Sequence, residues 1–415
     1  IKVLDGKVLG RDAVMAKGPY LLFWHLGVYL LTGPNVIALH LLGTAWAALT
    51  GAVVCLLALR LSNRTGLLAT GLFYTAAMAD HALRTNVYAE VLMALPIALG
   101  FIALAHALQT GRARWTAVAG LLAALAVLTK QTAAFHALAM AAAVPICVYG
   151  RSNRPGPEAR PTRQGEPEGM RESGDGAEGP GSARTLLVHW LAAAGGALVG
   201  ALPWLLYLVG HGAGREFIKS FVGESSRYVT AVNGSAVLYN LQWSVLHVLP
   251  RYSLVLIAAA LGIVWMLGRG RRSPASPPGG RRWRVVLLLW LLAAVLSTVA
   301  TGRFAAHYFS QAFPIIALVG GLWVANTQPP LGRRGHPSDG AGSGPVRLGL
   351  PVLLLIAQLL ALVPIVGMNL GKWHDAVVVS SAGSSWRVVG EYLRERTTPA
   401  ETIFVWGDQT EVLYW

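Results

Sequence analysis

The chain has 415 residues, of which 54% are hydrophobic and only 13% are charged. A soluble domain carries about 25% charged residues, so this composition excludes an ordinary water-soluble fold. The net charge of +15 does not indicate nucleic-acid binding, because the arginines form short clusters between apolar runs rather than one basic face. Both cysteines, Cys55 and Cys147, lie inside apolar runs, which indicates neither a disulfide framework nor a zinc site.

Long apolar runs predict an all-α polytopic membrane protein. About 20 apolar residues are needed to cross the hydrocarbon core of a bilayer. The stretch 19–31 is too short to cross and is predicted to form an interfacial helix ahead of the first span. Ten later segments are predicted to span: 36–60, 66–80, 88–108, 115–130, 131–149, 186–209, 252–268, 285–301, 308–325 and 348–368.

The distribution of basic residues predicts the orientation of the bundle. One set of loops holds 19 Lys and Arg residues against seven Asp and Glu: 60–65, 109–114, 150–185, 269–284 and 327–347. The positive-inside rule places these loops in the cytoplasm. The three longest, 150–185, 269–284 and 327–347, are rich in Gly, Pro and Arg and are predicted to be disordered.

The opposite side of the membrane is expected to carry the function. Its segments mix aromatic, acidic and basic residues: 1–17, 79–88, 210–251, 301–308 and 369–415. We therefore divide the chain into an outer loop with an interfacial helix (1–35), a bundle of about ten helices (36–368) and an outer C-terminal segment (369–415). In that last segment a helical face over 385–396 and the strand-like run 402–406 predict the start of a small α/β element.

Two outer segments near the beginning of the chain combine acids and bases. Asp12 and Lys17 precede the interfacial helix, where they could bind a lipid phosphate with or without a metal ion; snorkelling at a helix start is the alternative. The next outer segment contains Asp80, His81, Arg84 and Glu90. A carboxylate that enters hydrocarbon is costly, so Glu90 is a functional candidate, although it could instead stabilise a helix N-terminus.

Two later segments supply further candidates. Lys130 lies between two apolar runs without a real loop, so it must face water, a carboxylate, a phosphate or the outer headgroups. The segment 303–311 contains Arg303, His307, Tyr308 and Gln311, which a helix would bring to one side. An arginine suits bidentate phosphate binding and a histidine can carry a proton. The alternative is an interfacial belt of aromatic residues and arginine.

Together these segments resemble bacterial GT-C glycosyltransferases, which are similar to dolichyl-phosphate-mannose–protein mannosyltransferases and to the lipid A aminoarabinose transferase. The motifs that carry the resemblance are D-x4-K-G-P at 12–19, N-x3-E at 86–90, L-T-K-Q at 128–131 and R-F-x2-H-Y-F-x-Q-x2-P at 303–314. The closing stretch 391–414 also resembles the outer segment after the last span in this family. The resemblance covers nearly the whole chain, although each motif is short.

The resemblance implies inverting transfer of a sugar from a polyprenyl-phosphate carrier, on the outer face of a bacterial inner membrane, to a lipid, protein or glycan acceptor. In that family the catalytic base follows the first transmembrane helix, so the main base is expected upstream of residue 1, with Asp12 as a second acid. Asp80 and Glu90 would shape the sugar or metal site. Lys17, Lys130, Arg303 and His307 would bind the carrier phosphate, with His81, Arg84, Tyr308 and Gln311 as further binding residues.

The sequence identifies no cofactor; a divalent metal ion is the single candidate. We expect both termini to be truncated. We also predict that Lys17, Glu90, Lys130, Arg303 and His307 converge on one outer cavity, because hydrocarbon excludes each of them. A secondary transporter or lipid flippase is the alternative function, since it would share the spans and the buried charges.

Overall fold

The computed structural model describes residues 8–9, 11, 17–33, 35–82, 87–149, 183–230, 232–268, 280–327, 391–392 and 394–398. These residues form α1 Pro19–Thr32, α2 Val36–Leu61, α3 Arg64–Ala82, α4 Ala89–Thr110, α5 Ala113–Thr129, α6 Ala134–Tyr149, α7 Ala183–Gly210, α8 Gly214–Ile218, α9 Ser225–Thr230, α10 Gly234–His247, α11 Ser253–Leu267, α12 Gly280–Val299 and α13 Phe313–Thr327. Three 3-10 turns, Gln131–Ala133, Leu249–Tyr252 and Ala306–Phe309, and one π-helical turn, Lys219–Glu224, connect them.

The structure confirms the prediction of an all-α membrane bundle, since no β-strand occurs among the described residues. By length and composition, five helical segments within the described ranges suit a membrane crossing: Ala38–Leu61, Ala89–Thr110, Ala183–Gly210, Leu249–Leu267 and Arg282–Val299. Helices α5, α6 and α13 are apolar but shorter. The chain is therefore an integral multi-pass membrane protein. The tenth predicted span, 348–368, lies outside the described residues.

Helix α4 is the centre of the bundle. Sixteen of its residues are buried, and it packs against α2, α5 and α6. Gly111 ends the helix in the left-handed conformation with φ 64°, which glycine adopts without steric cost. Only Gly111 and Arg112 separate α4 from α5, so the two helices form an antiparallel hairpin. Glu90, at the start of α4, and Lys130, directly after α5, consequently lie at the same end of the bundle.

Small residues bring α5 and α7 into backbone contact. A Cβ atom at Gly120 would overlap the carbonyl of Ala193, and one at Gly196 would overlap the carbonyl of Ala117. In lipid no hydrophobic force drives helices together, so close backbone approach and van der Waals packing must supply the association energy. Glycine is therefore required at both positions. Residue Gly262 of α11 meets α13 in the same manner, against Val319.

Helix α1 packs against two helices, α5 and the long helix α7. The Tyr20 hydroxyl donates to the Gly200 carbonyl at 2.6 Å, and the Phe23 ring lies edge-on to the Trp204 ring at 5.8 Å. These contacts hold α1 against α7. At the other terminus, residues 391–392 and 394–396 are helical, in accord with the predicted helix, whereas the predicted strand 402–406 lies outside the described residues.

Candidate functional site at one end of the bundle

The centre of the candidate site is a buried ion pair between Glu90 and Lys130. The two residues are 1% and 5% exposed, and the Lys130 Nζ donates to the Glu90 Oε1. An isolated charge removed from water costs several kcal/mol, so each group requires the other at this position. A carboxylate was one of the surroundings that the sequence left open for Lys130, and in the structure the Glu90 carboxylate occupies that position.

Aromatic rings from distant parts of the chain surround the ion pair. His307 and Tyr308 lie on the 3-10 turn between α12 and α13. The His307 Nε2 is 3.9 Å from the Glu90 Oε1, and its ring stacks on Tyr88 with centroids 4.4 Å apart and planes inclined by 7°. The Lys130 Nζ lies 4.3 Å from the centroid of the Tyr308 ring, a distance at which the ring attracts the cation. The Glu90–Lys130 ion pair is thus stabilised by its own charges and by the aromatic rings of Tyr308 and His307 next to it.

Lys17 reaches the same end of the bundle because Gly18 lies directly against the end of α5. The Gly18 N–H donates to the Thr129 carbonyl at 3.1 Å, and a Cβ at Gly18 would overlap the Leu128 carbonyl. Lys17 itself is partly buried. The close contact at Gly18 explains why a glycine, and not a residue with a Cβ atom, stands between Lys17 and Pro19 in the K-G-P motif.

Arg303 lies in an irregular loop between α12 and α13, not on the helix that the sequence analysis considered. Gly302 and Phe304, on either side of it, have φ angles of +63° and +48°. A left-handed conformation at a buried phenylalanine costs of order 1 kcal/mol, so the surrounding structure must impose it. The Asn240 side-chain amide donates to the Gly302 carbonyl at 3.2 Å and fixes one side of the loop. Arg303 itself is partly buried.

Gln311 follows the 3-10 turn and faces the interior of the bundle. It is 1% exposed; its Oε1 accepts from the Ser297 hydroxyl at 2.6 Å, and its Nε2 donates to the Thr298 hydroxyl at 3.3 Å. The Thr298 hydroxyl also lies 3.2 Å from the Tyr308 carbonyl. Gln311 and Thr298 thus connect α12 to the 3-10 turn that carries Tyr308 and to the residues directly after it.

The remaining predicted residues are only partly covered by the structure. Asp80 and His81 belong to the last turn of α3, at the same end of the bundle, but their side chains lie outside the described part of the chain. Asp12 and Arg84 lie outside it entirely. Within the described ranges no group of three or more His, Cys, Asp or Glu residues could hold a metal ion. The described neighbours of Glu90 are cationic or aromatic, which does not fit a divalent metal, and we derive no step through one.

Two features of the site have no counterpart in the sequence analysis. Tyr88 precedes α4 and stacks on His307, a contact between residues more than 200 positions apart that no local spacing indicates. The outer segment 210–251, expected as a loop, is largely helical and contains α8, α9 and α10. A signal for α10 was present, because Asn233 caps its N-terminus by accepting from the Ala236 N–H at 2.8 Å.

No protein-family model and no curated protein matches this sequence. Among solved structures, the chain has a partial likeness to the archaeal oligosaccharyltransferase AglB from Archaeoglobus fulgidus, in a complex with an inhibitory peptide and a dolichol-phosphate. The TM-score is 0.45 and the sequence identity 13%, over 93% of this chain and 50% of that protein. The chain thus spans half the length of the protein it resembles.

Proposed function

We propose that the chain is a membrane glycosyltransferase of the GT-C type, which transfers a sugar from a polyprenyl-phosphate carrier to an acceptor on the extracytoplasmic face of its membrane. The observation that carries the proposal is the buried cluster of Glu90, Lys130 and His307 at one end of the bundle. Lys17 and the Arg303 loop belong to the same end. The cluster brings Lys17 and Lys130, with Arg303 on the neighbouring loop, close to the Glu90 carboxylate, and several cations placed together suit an anionic ligand.

A positive site of this kind suits a phosphate leaving group. When the bond between the sugar and the carrier breaks, negative charge develops on the phosphate oxygens, and fixed cations placed beforehand stabilise that charge without reorganisation. Glu90 and Tyr308 hold the Lys130 ammonium group in a fixed position, where its charge can stabilise the phosphate. Lys17 and Arg303 would supply the remaining contacts, with Arg303 suited to a bidentate one.

Glu90 is then better suited to orient cations than to accept the acceptor's proton. Its Oε1 accepts from Lys130 and lies 3.9 Å from the His307 Nε2, so this oxygen already has partners and is poorly available to an acceptor hydroxyl. We assign the base that activates the acceptor hydroxyl to another acid; the candidates within this sequence are Asp12 and Asp80, whose side chains lie outside the described part of the chain. Asp80 belongs to the last turn of α3, at the same end of the bundle as Glu90.

The position of the cluster favours an enzyme over a secondary transporter. Transporters place substrate and ion sites near the bilayer midplane, commonly at broken helices. Glu90 occupies the first turn of α4, and Lys130 directly follows the last turn of α5, so the charges lie at helix ends. A site at that depth can meet both a carrier phosphate at the headgroup level and an acceptor from the aqueous side.

The experiment uses the full-length protein in lipid vesicles with a radiolabelled polyprenyl-phosphate sugar. Arg303→Ala is expected to abolish transfer without changing expression or insertion, and Arg303→Lys to restore it only in part, because lysine lacks the bidentate geometry. Lys17→Ala is expected to raise the KM for the donor. Lys219→Ala, which removes an exposed lysine from the outer segment, is the matched control. Full transfer by Arg303→Ala, or donor movement across the vesicle without sugar transfer, would refute the proposal.

A further inference from the structure

Helix α10 has an inverted distribution of polar and apolar residues. Its exposed side carries Leu238 and Leu246, which are 68% and 60% exposed, together with other large apolar residues, among them Tyr239, Trp243 and Val245. Its buried side carries polar residues instead: Ser244 is fully buried, and Asn240 donates to the Gly302 carbonyl. Gln242 and His247 are exposed as well, but large apolar side chains make up most of the exposed side. In water this arrangement would leave a large apolar surface exposed while the Ser244 hydroxyl is buried, which reverses the usual order.

The chain on both sides of α10 fixes its level relative to the membrane. Upstream, Ala183–Gly210 ends only a few residues before α8; downstream, Leu249–Leu267 begins two residues after α10 ends. Both segments have the length and composition of membrane crossings. The helix therefore lies at the membrane surface on the side of the Glu90–Lys130 pair. With 14 residues it is about 21 Å long, too short to cross 30 Å of hydrocarbon.

We propose that α10 lies in the membrane interface, with its exposed apolar side embedded among the acyl chains of the lipid leaflet next to the candidate site. The occupant of this face is the bilayer itself. Helix α11, which follows α10, also exposes apolar side chains along its length, among them Ile257 at 47% and Val264 at 67%. An interfacial helix of this kind gains free energy by burying its apolar face in lipid while its other side remains hydrogen bonded to protein.

The position of α10 in the lipid has a structural consequence for the candidate site. The Asn240 amide holds the Gly302 carbonyl from the protein side of the same helix, and Gly302 precedes Arg303. A helix anchored in the leaflet thus gives the strained loop a fixed support from outside the bundle. This inference concerns where α10 lies and holds whether or not the chain transfers a sugar.

The test measures which phase surrounds α10 in the full chain, reconstituted in vesicles of phosphatidylethanolamine and phosphatidylglycerol. Cys55 and Cys147 are replaced by alanine, and single nitroxide labels are placed at Leu238→Cys and Leu246→Cys. Val264→Cys on α11 serves as the lipid reference and Arg112→Cys in the turn after α4 as the water reference. Power saturation with oxygen and with a water-soluble nickel chelate then compares the four positions.

Both α10 labels are expected to match Val264, with high accessibility to oxygen and low accessibility to nickel. Accessibility to nickel equal to that at Arg112 would show that α10 lies in water and overturn the proposal. Low accessibility to both reagents would overturn it too, since another segment of the chain or a second copy would then cover the face. A bimane label at the same positions provides a second measurement. Lipids brominated on their acyl chains are expected to quench the bimane fluorescence. Fluorescence that these lipids do not quench would contradict the position of α10 in the lipid.

Discussion

The imidazole ring of His307 stacks face to face on the phenol ring of Tyr88, with centroids 4.4 Å apart. Tyr88 is the last residue before α4, and His307 lies on the 3-10 turn between α12 and α13. The stack therefore joins the helix that carries Glu90 to the loop that carries Arg303. It holds His307 at 3.9 Å from the Glu90 carboxylate.

Removing this stack should reduce activity without removing a charge. An aromatic pair contributes about 0.5–1.5 kcal/mol beyond its buried area, so Tyr88→Leu is expected to lower the rate of sugar transfer about two- to tenfold. Tyr88→Phe keeps the ring and should retain nearly full activity. The comparison is made by initial rates at saturating donor. Equal rates for the leucine and wild-type proteins would show that the ring does not position His307.

The Glu90–Lys130 pair should behave as one structural unit in a double-mutant cycle. Removal of one partner leaves a buried charge uncompensated and costs about 3–5 kcal/mol, so Glu90→Gln is expected to lower the unfolding temperature in detergent markedly. Glu90→Gln combined with Lys130→Met removes both charges and should recover much of that loss. Activity is expected to remain low in the double variant, because Lys130 is assigned to the phosphate. Additive losses of stability would contradict the pairing.

Two adjacent glycines of α7 provide a matched test of helix packing. A Cβ at Gly196 would overlap the Ala117 carbonyl, whereas a Cβ at Gly195 meets nothing within 4 Å. Gly196→Ala is therefore expected to separate α5 from α7 and lower the unfolding temperature. Gly195→Ala should be neutral or slightly stabilising, since alanine has the higher helix propensity. Thermal unfolding of both variants in the same detergent makes the comparison; equal effects would refute backbone contact between the helices.

The predicted orientation can be tested in intact cells with an impermeant thiol reagent. In a variant without Cys55 and Cys147, Ser225→Cys on the predicted outer side should be labelled, and Ser173→Cys on the predicted cytoplasmic side should not. The physical reason is the excess of arginine in the loops around Ser173. Labelling at position 173 alone would invert the topology and place the candidate site in the cytoplasm.

The helices of the bundle could be predicted from the sequence because each apolar run is a local signal. The runs at 36–60, 88–108 and 186–209 correspond to α2, α4 and α7 within a few residues. Their ends follow equally local rules, such as the Asn35 side chain that accepts from the Ala38 N–H at 3.0 Å. The length of an apolar run and the residues that cap a helix are both read from neighbouring positions, so these helices can be predicted without knowing how they pack.

The arrangement of the site was less accessible to sequence reasoning. The cost of burying Glu90 and Lys130 identified both as candidates, yet it did not indicate that they bind each other. The loop at Arg303 is irregular because Gly302 and Phe304 adopt left-handed angles, and the 3-10 turn after it is set by packing between α12 and α13. Likewise, α10 has its apolar side outward, a pattern that is ambiguous until the position of the membrane is known.

The pairing of Glu90 with Lys130 also bears on how the chain enters the bilayer during synthesis. Glu90 and Lys130 flank a single helical hairpin, α4 and α5, joined by a two-residue turn. Their charges can therefore neutralise each other as soon as that hairpin has left the ribosome, before α12 and α13 exist to supply His307 and Tyr308. Each lone charge would oppose partition from the translocon into lipid, so early pairing lets the hairpin insert as a unit.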